Sequence, residues 1–492
     1  MLAPLRKQTA TLAALLVLAL WAARLIVLGA FPPFIDEGVH LHYAEEQRVI
    51  SPFIHADEGR LLTTGLYALV QPERSGGLWL ARVMTLLALL PGYAAIISSA
   101  RLAAGRHGAL FAGLLLLFSP YHHFFNRMAM ADTLAASTVA IGLYFAFRLV
   151  RRAATGDAIL SGLALFTALG FKVTALPYYG IPLAAVLTLG RGRHSRQARA
   201  RWLLIALGTL LGLTAAFGLG LRALGYDYFG LFGHHNPDPL SGLLPTLVAN
   251  LSLMTDTAAI FLSPGVVAVC GLGLLYLLIR RKFFLPLCLV VPAMIIALSA
   301  RQSTRFYETP VTLLLLIGAV GLADIIRGRS RSIALLIAAG IVAWGLMVWL
   351  PFAVTAARQP DRLPLHPATA GEYISGDGSG FGLAEARWAL LAHGATRVIG
   401  IMANCQGLRY LSLDDFPVEC PRVNPNGEDI PALQALMESS RAPGVFVVLE
   451  DLPYAPDHTP GVISATIRHA SGRPRLTIYA LDPDYRPCNY CG

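Results

Sequence analysis

At four places in the sequence, charged side chains stand at the edges of long apolar runs. Asp36 and Glu37 sit in FPPFIDEGVHLHYAEEQ, Arg127 and Asp132 in NRMAMADT, Lys172 in FKVTALPYY, and Arg301, Arg305 and Tyr307 in ARQSTRFYETP. An ionisable group costs about 2.5–3.5 kcal/mol at the centre of a membrane helix and less toward its ends, so it persists there chiefly when it is used or paired. Two acids and several cations drawn from distant segments suit phosphate chemistry. Moving a sugar from a phosphate-linked donor to a hydroxyl needs a carboxylate to take the hydroxyl proton. It also needs positive charge, from Lys, Arg or a metal, to stabilise the departing phosphate. Phosphate leaves well as an anion, so the reaction has no strong need of a general acid, unlike glycoside hydrolysis.

Each residue also has a plainer use. Asp36 and Glu37 could solvate a loop, Asp132 could pair with Arg127 at roughly helical spacing, and Arg301 and Arg305 could anchor lipid headgroups. His234 and His235 in GHHNPD are candidates for substrate contact or ordinary loop histidines. Lys172 is one of only three lysines in the chain and so is not part of a general basic dressing. The joint pattern, more than any one residue, points to a site.

The elements that must position these groups are membrane helices. The chain has 492 residues, is 55 % hydrophobic and only 14 % charged, and exceeds what one soluble core normally holds. Runs long enough to cross a hydrocarbon core of about 30 Å recur through the first 355 positions. We place spans near 9–30, 77–100, 107–125, 128–147, 158–178, 178–190, 202–224, 257–279, 283–299, 308–326 and 333–355. Arg and Lys collect on alternate loops: Arg6, Lys7, Arg101, Arg106, Arg148, Arg151, Arg152, the RGRHSRQARAR segment, RRK at 280–282, and Arg327, Arg329 and Arg331. The positive-inside rule then puts the amino terminus in the cytosol and residue 36 outside. The basic residues interrupt apolar spans and form no separate basic domain, which excludes a nucleic-acid partner. The first apolar run is too long for a signal peptide and reads as a retained anchor. No internal repeat is visible, which weakens an inverted-repeat transporter.

Two long outer loops follow, 31–76 with short helices expected at GVHLHYAEEQRVI and RLLTTGLYALV, and 225–256 with aromatics suited to the headgroup layer. After residue 355 the texture changes, with 11 basic and 15 acidic residues against 28 and 14 before it. This tail, 356–492, reads as a small extracytoplasmic α/β domain beside a transmembrane domain at 1–355. Helices are expected at 384–394 and 430–440 and strands at 396–402, 444–450 and 475–481. GDGSGFG lacks a preceding strand and reads as a linker and helix start rather than a phosphate loop. Cys270 and Cys288 read as buried thiols, and Cys405 and Cys420 are a possible disulfide. The terminal CNYC pair is too small a ligand set for zinc.

FIDEGVHLHYA after the first span resembles the acidic first-loop motif of GT-C glycosyltransferases, and FNRMAMADTLAAS resembles the second luminal motif of their protein-mannosyltransferase and aminoarabinose-transferase branch. The resemblance implies a polytopic α-helical GT-C-like enzyme of about eleven spans that takes a sugar from a polyprenyl-phosphate carrier and passes it, with inversion, to a glycan, lipid or protein hydroxyl. It implies Asp36 as the catalytic base and Asp132 in the same site, in some members with a divalent metal held by these two positions. Glu37 is expected to support Asp36 by orienting the loop or sharing that metal. Lys172, Arg127, Arg301, Arg305, Tyr307, His234 and His235 are the candidates for donor binding. Relatives often carry Leu-Pro-Asp where this chain has Met-Ala-Asp, and the tail does not resemble a β-trefoil. The Arg-over-Lys bias and richness in Ala, Leu and Gly suit a bacterial cytoplasmic membrane. A transporter or flippase of a lipid-linked or anionic solute, and a non-catalytic scaffold, are the competing readings.

Overall fold

The computed structural model describes residues 2–26, 28–189, 194–228, 243–299, 303–329, 331–376, 378–421, 430–450, 462–468 and 474–482. His234, His235, Arg301 and the CNYC pair lie outside the described residues.

A bundle of helices makes up the first part: α1 (Leu2–Leu25), α2 (Ile35–Val49), α3 (Leu61–Ala68), α4 (Gly77–Leu117), α5 (Pro120–Phe125), α6 (Ala131–Arg152), α7 (Thr155–Phe171), α8 (Ile181–Thr188), α9 (Arg196–Ala223), α10 (Leu243–Ile279), α11 (Phe284–Ala297), α12 (Glu308–Ile325), α13 (Arg331–Trp344) and α14 (Leu350–Arg358). Six of the described helical segments are long and apolar enough to cross a membrane, and four shorter apolar ones accompany them. The eleven expected spans all have helical counterparts: the run at 77–100 lies in the first arm of α4, which breaks at Gly105 with φ 77°, and the run at 107–125 covers its second arm and α5. α10 breaks where Ser263 precedes Pro264, whose ring crowds the helical conformation of the residue before it. The expected outer loop at 225–256 is shorter than read, since α10 already begins at Leu243. Its apolar residues between 243 and 256 continue the helical period, and the Asn and Asp among them do not interrupt it.

α2 and α3 fall on the two short helices expected in the first long loop. Glu37, His40, Leu41, Ala44 and Gln47 recur at helical spacing on α2 and are buried, so one face of this helix is built into the fold.

Five strands form one sheet in the tail: β1 (Arg397–Ile401), β2 (Val418–Glu419), β3 (Val445–Glu450), β4 (Val462–Arg468) and β5 (Pro474–Ala480), in the order β2-β1-β3-β5-β4. β1 is parallel to both β2 and β3, while β5 runs antiparallel to β3 and β4. β1, β3 and β5 fall on the expected strands; β2 and β4 are additional edge strands. β2 has two residues, too few for a period to show, and the alternation in VISATIR is weak. Helices α15 (Leu383–Ala392), α16 (Cys405–Leu411) and α17 (Ile430–Ser439) accompany the sheet. Cys405 and Cys420 are joined in a disulfide that ties α16 to the residue after β2, and Cys270 and Cys288 are free and buried.

The sheet unit seats on α2. Asn404 donates to the Pro33 carbonyl at 2.8 Å, Tyr410 Oη donates to Glu45 at 2.7 Å and Arg409 pairs with Glu45 at 2.8 Å. α2 and α16 approach so closely at Gly38 that a Cβ there would lie 2.7 Å from the Gly407 nitrogen. The GDGSGFG stretch is a seam: Arg475 donates to the carbonyls of Gly376 and Ser379 at 3.0 and 2.6 Å, and Gly378 accepts from Ile35 N at 2.9 Å. Carbonyls line it and α15 starts from it, which agrees with a linker and not a phosphate cradle.

Candidate active site

The site is built from helix starts. Asp36 and Glu37 lie in the first turn of α2, Asp132 in the first turn of α6, Lys172 directly after α7, and Arg305 in the single 3₁₀ turn that leads into α12. The positive ends of α2 and α6 favour carboxylates in their first turns. All these starts share one end of the bundle, so residues separated by up to 269 positions meet.

Arg305 Nη1 pairs with Asp36 Oδ2 at 2.6 Å, and its Nε lies 3.7 Å from Asp132 Oδ2. Lys172 Nζ reaches both Asp132 oxygens, at 2.7 and 2.6 Å. Arg60 Nη1 is 3.9 Å from Asp36 Oδ2. The aromatic walls are Phe34 and Phe306: Lys172 Nζ lies 4.5 Å from the Phe306 centroid, and the Arg305 guanidinium lies 5.5 and 5.6 Å from the two rings. Burial by itself would raise the Asp36 carboxyl, but the charges of Arg305 and Arg60 outweigh it and hold the group well below the usual carboxylate range. Asp36 is therefore ionised at neutral pH.

The adjacent carboxylate has a different place. Asp36 keeps 19 % of its side chain exposed and Glu37 keeps none. Glu37 accepts from Arg82 Nε and Nη2 at 2.8 and 2.7 Å, from Phe34 N at 3.0 Å and from Ala129 N at 2.7 Å. Its oxygens are consumed by the scaffold, so it shares no ligand position with Asp132; of the two supporting roles expected for it, only orientation of the loop fits. Arg127, a candidate for donor binding, is also buried, donating to the His123 carbonyl at 2.8 Å with its guanidinium 4.3 Å from the Phe31 centroid. Tyr307 is wholly buried in the bundle core.

Residues passed over in the sequence complete the surroundings. His40 Nδ1 donates to the Ala129 carbonyl at 3.1 Å and Nε2 accepts from Arg60 Nη1 at 3.1 Å, which defines a neutral tautomer. Behind Asp132, Glu308 accepts from Thr133 Oγ1 at 2.9 Å and from Asn126 Nδ2, and Asn126 accepts from Tyr93 Oη at 2.5 Å. Glu372 accepts from Ser303 Oγ at 2.8 Å; burial raises its carboxyl, with Arg305 opposing. Glu308 carried a usable signal as a further ionisable residue at the start of an expected span, whereas Arg60 stands mid-loop between two spans. His40 and Glu372 carried none.

Burial, with the charge of Arg60, pushes the His40 imidazole down to about 3. The folded state then binds fewer protons than the unfolded one between that value and about 6.5, so stability is full above 6.5 and falls as pH drops below it, by up to about 1.4 kcal/mol per pH unit. Thermal melts of the purified chain from pH 7.5 to 4.5 are expected to show this limb, and His40→Gln, which cannot titrate, is expected to flatten it.

No protein-family model matches the sequence, and no curated protein matches it. Solved structures do. ArnT from Cupriavidus metallidurans, in a crystal structure bound to undecaprenyl phosphate, is 15 % identical and covers 96 % of this chain and 98 % of its own, with a TM-score of 0.58. The Archaeoglobus fulgidus oligosaccharyltransferase, in a crystal structure with zinc and sulfate, is 12 % identical and covers 98 % of this chain and 74 % of its own, with a TM-score of 0.50. The chain shares the fold of these structures. At these identities the likeness concerns architecture.

A divalent metal between Asp36 and Asp132 does not suit this version of the fold. Arg305 bridges the two carboxylates and Lys172 engages both oxygens of Asp132, so a dication there would face two cations at close range. Among the described residues no third acidic, His or Cys side chain joins them as a ligand set. Among the described residues, Arg305, Arg60 and Lys172 bring the positive charge to this cluster.

Proposed function

We propose that the chain is a membrane glycosyltransferase that moves a sugar from a polyprenyl-phosphate carrier to an acceptor hydroxyl on the outer face of a bacterial cytoplasmic membrane. The observation that carries this reading is the ionised Asp36, partly exposed, held against Arg305 and Arg60 at the end of the bundle where Asp132 and Lys172 also converge. The shared fold with ArnT, whose structure holds undecaprenyl phosphate, supports the donor class.

In this reaction Asp36 takes the acceptor proton as the hydroxyl oxygen attacks the anomeric carbon, and the bond from that carbon to the phosphate oxygen breaks with inversion. The electron pair leaves on the carrier phosphate, where Arg305, Arg60 and Lys172 stabilise it. The Arg305–Asp36 pair gives the sequence an internal order. A donor phosphate draws Arg305 away, and the carboxylate becomes more basic as its counter-charge is shared. Asp132 holds Lys172 in place for the same anion. The acceptor can be a glycan, a lipid or a protein.

Purified protein incubated with a panel of radiolabelled polyprenyl-phosphate sugars is expected to consume one donor class and release the polyprenyl phosphate. Failure to consume any donor in the presence of envelope extract as acceptor would overturn the reading. The face is tested separately. A reporter active only in the cytosol is expected to work after residue 195 or 330 and fail after 60 or 400, as the alternation of basic loops requires. An active fusion at 400 would reverse the assignment.

A further inference from the structure

A cavity lies at the far end of the bundle from Asp132. α6 carries Asp132 in its first turn and Arg151 in its last, and its 22 residues at about 1.5 Å each put the two ends roughly 30 Å apart. Near Arg151 the ends of α8, α10 and α12, the start of α11 and the break in α4 enclose a cavity of about 520 Å³. Five cations line it: Arg101, Arg151, Arg281, Lys282 and Arg327. Its floor is apolar, with Phe147, Phe284, Leu277 and Val320.

The cations are placed by the fold. Gly105 leaves the helical conformation, which frees carbonyls of the preceding turn of α4. Arg151 donates to the Leu102 carbonyl and Arg327 to that of Ala103 at 3.4 Å. Asp324 pairs with Arg327 at 2.7 Å and with Lys282, and among the described residues that line the cavity there are five cations and no acid. Arg281 adopts a left-handed conformation, φ 55°, two residues after the end of α10, a position where glycine is the ordinary choice. Beside the lining, Leu187, Leu278 and Ile279 expose their side chains on the apolar flank of the bundle.

We infer that this cavity binds the headgroup phosphate of an anionic phospholipid, with the acyl chains lying outside along those exposed apolar residues. A preorganised excess of positive charge over an apolar floor matches a phosphodiester joined to hydrocarbon, and basic pockets between the cytosolic ends of membrane helices suit such headgroups. The volume holds a headgroup and not a whole lipid. The end is the one that the basic loops assign to the cytosol, so the bound lipid belongs to the leaflet opposite the proposed reaction.

The test is native mass spectrometry of the full chain in detergent with equimolar phosphatidylglycerol and phosphatidylcholine. Wild type is expected to retain phosphatidylglycerol preferentially, and each of Arg101→Gln and Arg281→Gln to lower that preference by about fivefold, the worth of one basic residue near an anionic lipid. Both side chains are exposed, so the variants keep the fold, which an unchanged melting temperature confirms. Arg152→Gln, exposed and off the cavity, is expected to leave the preference as it is. Equal retention of the two lipids by wild type, or an unchanged preference in the Arg101/Arg281 double variant, would overturn the inference. So would displacement of phosphatidylglycerol by inorganic phosphate alone, which would mark the occupant as a free anion.

Discussion

Asp36→Asn is expected to lower sugar transfer by about 10²–10⁴-fold, the usual contribution of a general base, without loss of fold. The amide is the same size and fits the same first turn of α2, but it cannot accept the acceptor's proton. Donor binding is expected to hold or tighten, because Arg305 and Arg60 lose their anionic partner and become free for the carrier phosphate. Turnover of the radiolabelled donor and binding of undecaprenyl phosphate, measured on the same preparation, separate the two effects. Near-normal turnover in a folded Asp36→Asn protein would return the residue to an ion-pairing role and shift the base to Asp132. Weakened donor binding with unchanged turnover of bound donor would make Asp36 a positioning residue for Arg305.

Glu37→Gln, one residue further, is expected to fail in the opposite way. The carboxylate is fully buried, and its partners Arg82, Phe34 N and Ala129 N all donate. An amide in its place turns one acceptor into a donor facing those donors and leaves the Arg82 guanidinium without its counter-charge. Breaking a buried ion pair in this way costs about 3–5 kcal/mol, a large share of the stability of most proteins. The melting temperature and the yield of monodisperse protein should both fall, while whatever fraction remains folded keeps its donor turnover. A stable Glu37→Gln protein with selectively lost turnover would instead move Glu37 into the chemistry.

Both effects trace to α2 and the Ala129 backbone. Ala129 donates to Glu37 and accepts from His40, so the inward face of α2 grips the peptide three residues before Asp132. That grip sets the register between the two acidic segments. Asp36 and Asp132 can then share Arg305 although 96 positions separate them.

Asp36, Asp132, Lys172 and Arg305 were legible as candidates because a charge at the edge of an apolar run is visible in one dimension, and alternating basic loops put those edges at one end of the bundle. Arg127 satisfied the same criterion, yet it stacks on Phe31, and Tyr307, chosen for its place beside Arg305, fills the core. The sequence criterion locates depth along a helix and says nothing about which side of the helix a group occupies. His40 and Glu372 were invisible for the complementary reason: neither stands at the edge of an apolar run, and only the packing of α2 and of the segment before α15 brings each to the cluster.

The sequence by itself determined the membrane bundle, the eleven apolar runs, the short helices of the first long loop, three of the five strands and the disulfide partners as candidates. Hydropathy, charge alternation and short periods are local properties, and each residue contributes to them independently of what it touches. Only the tertiary structure decided which of two neighbouring carboxylates stays partly exposed beside Arg305 and which is buried. Consecutive residues on a helix point about 100° apart, so α2, once seated by Gly38 against α16, turns Glu37 inward to Arg82 and leaves Asp36 beside Arg305.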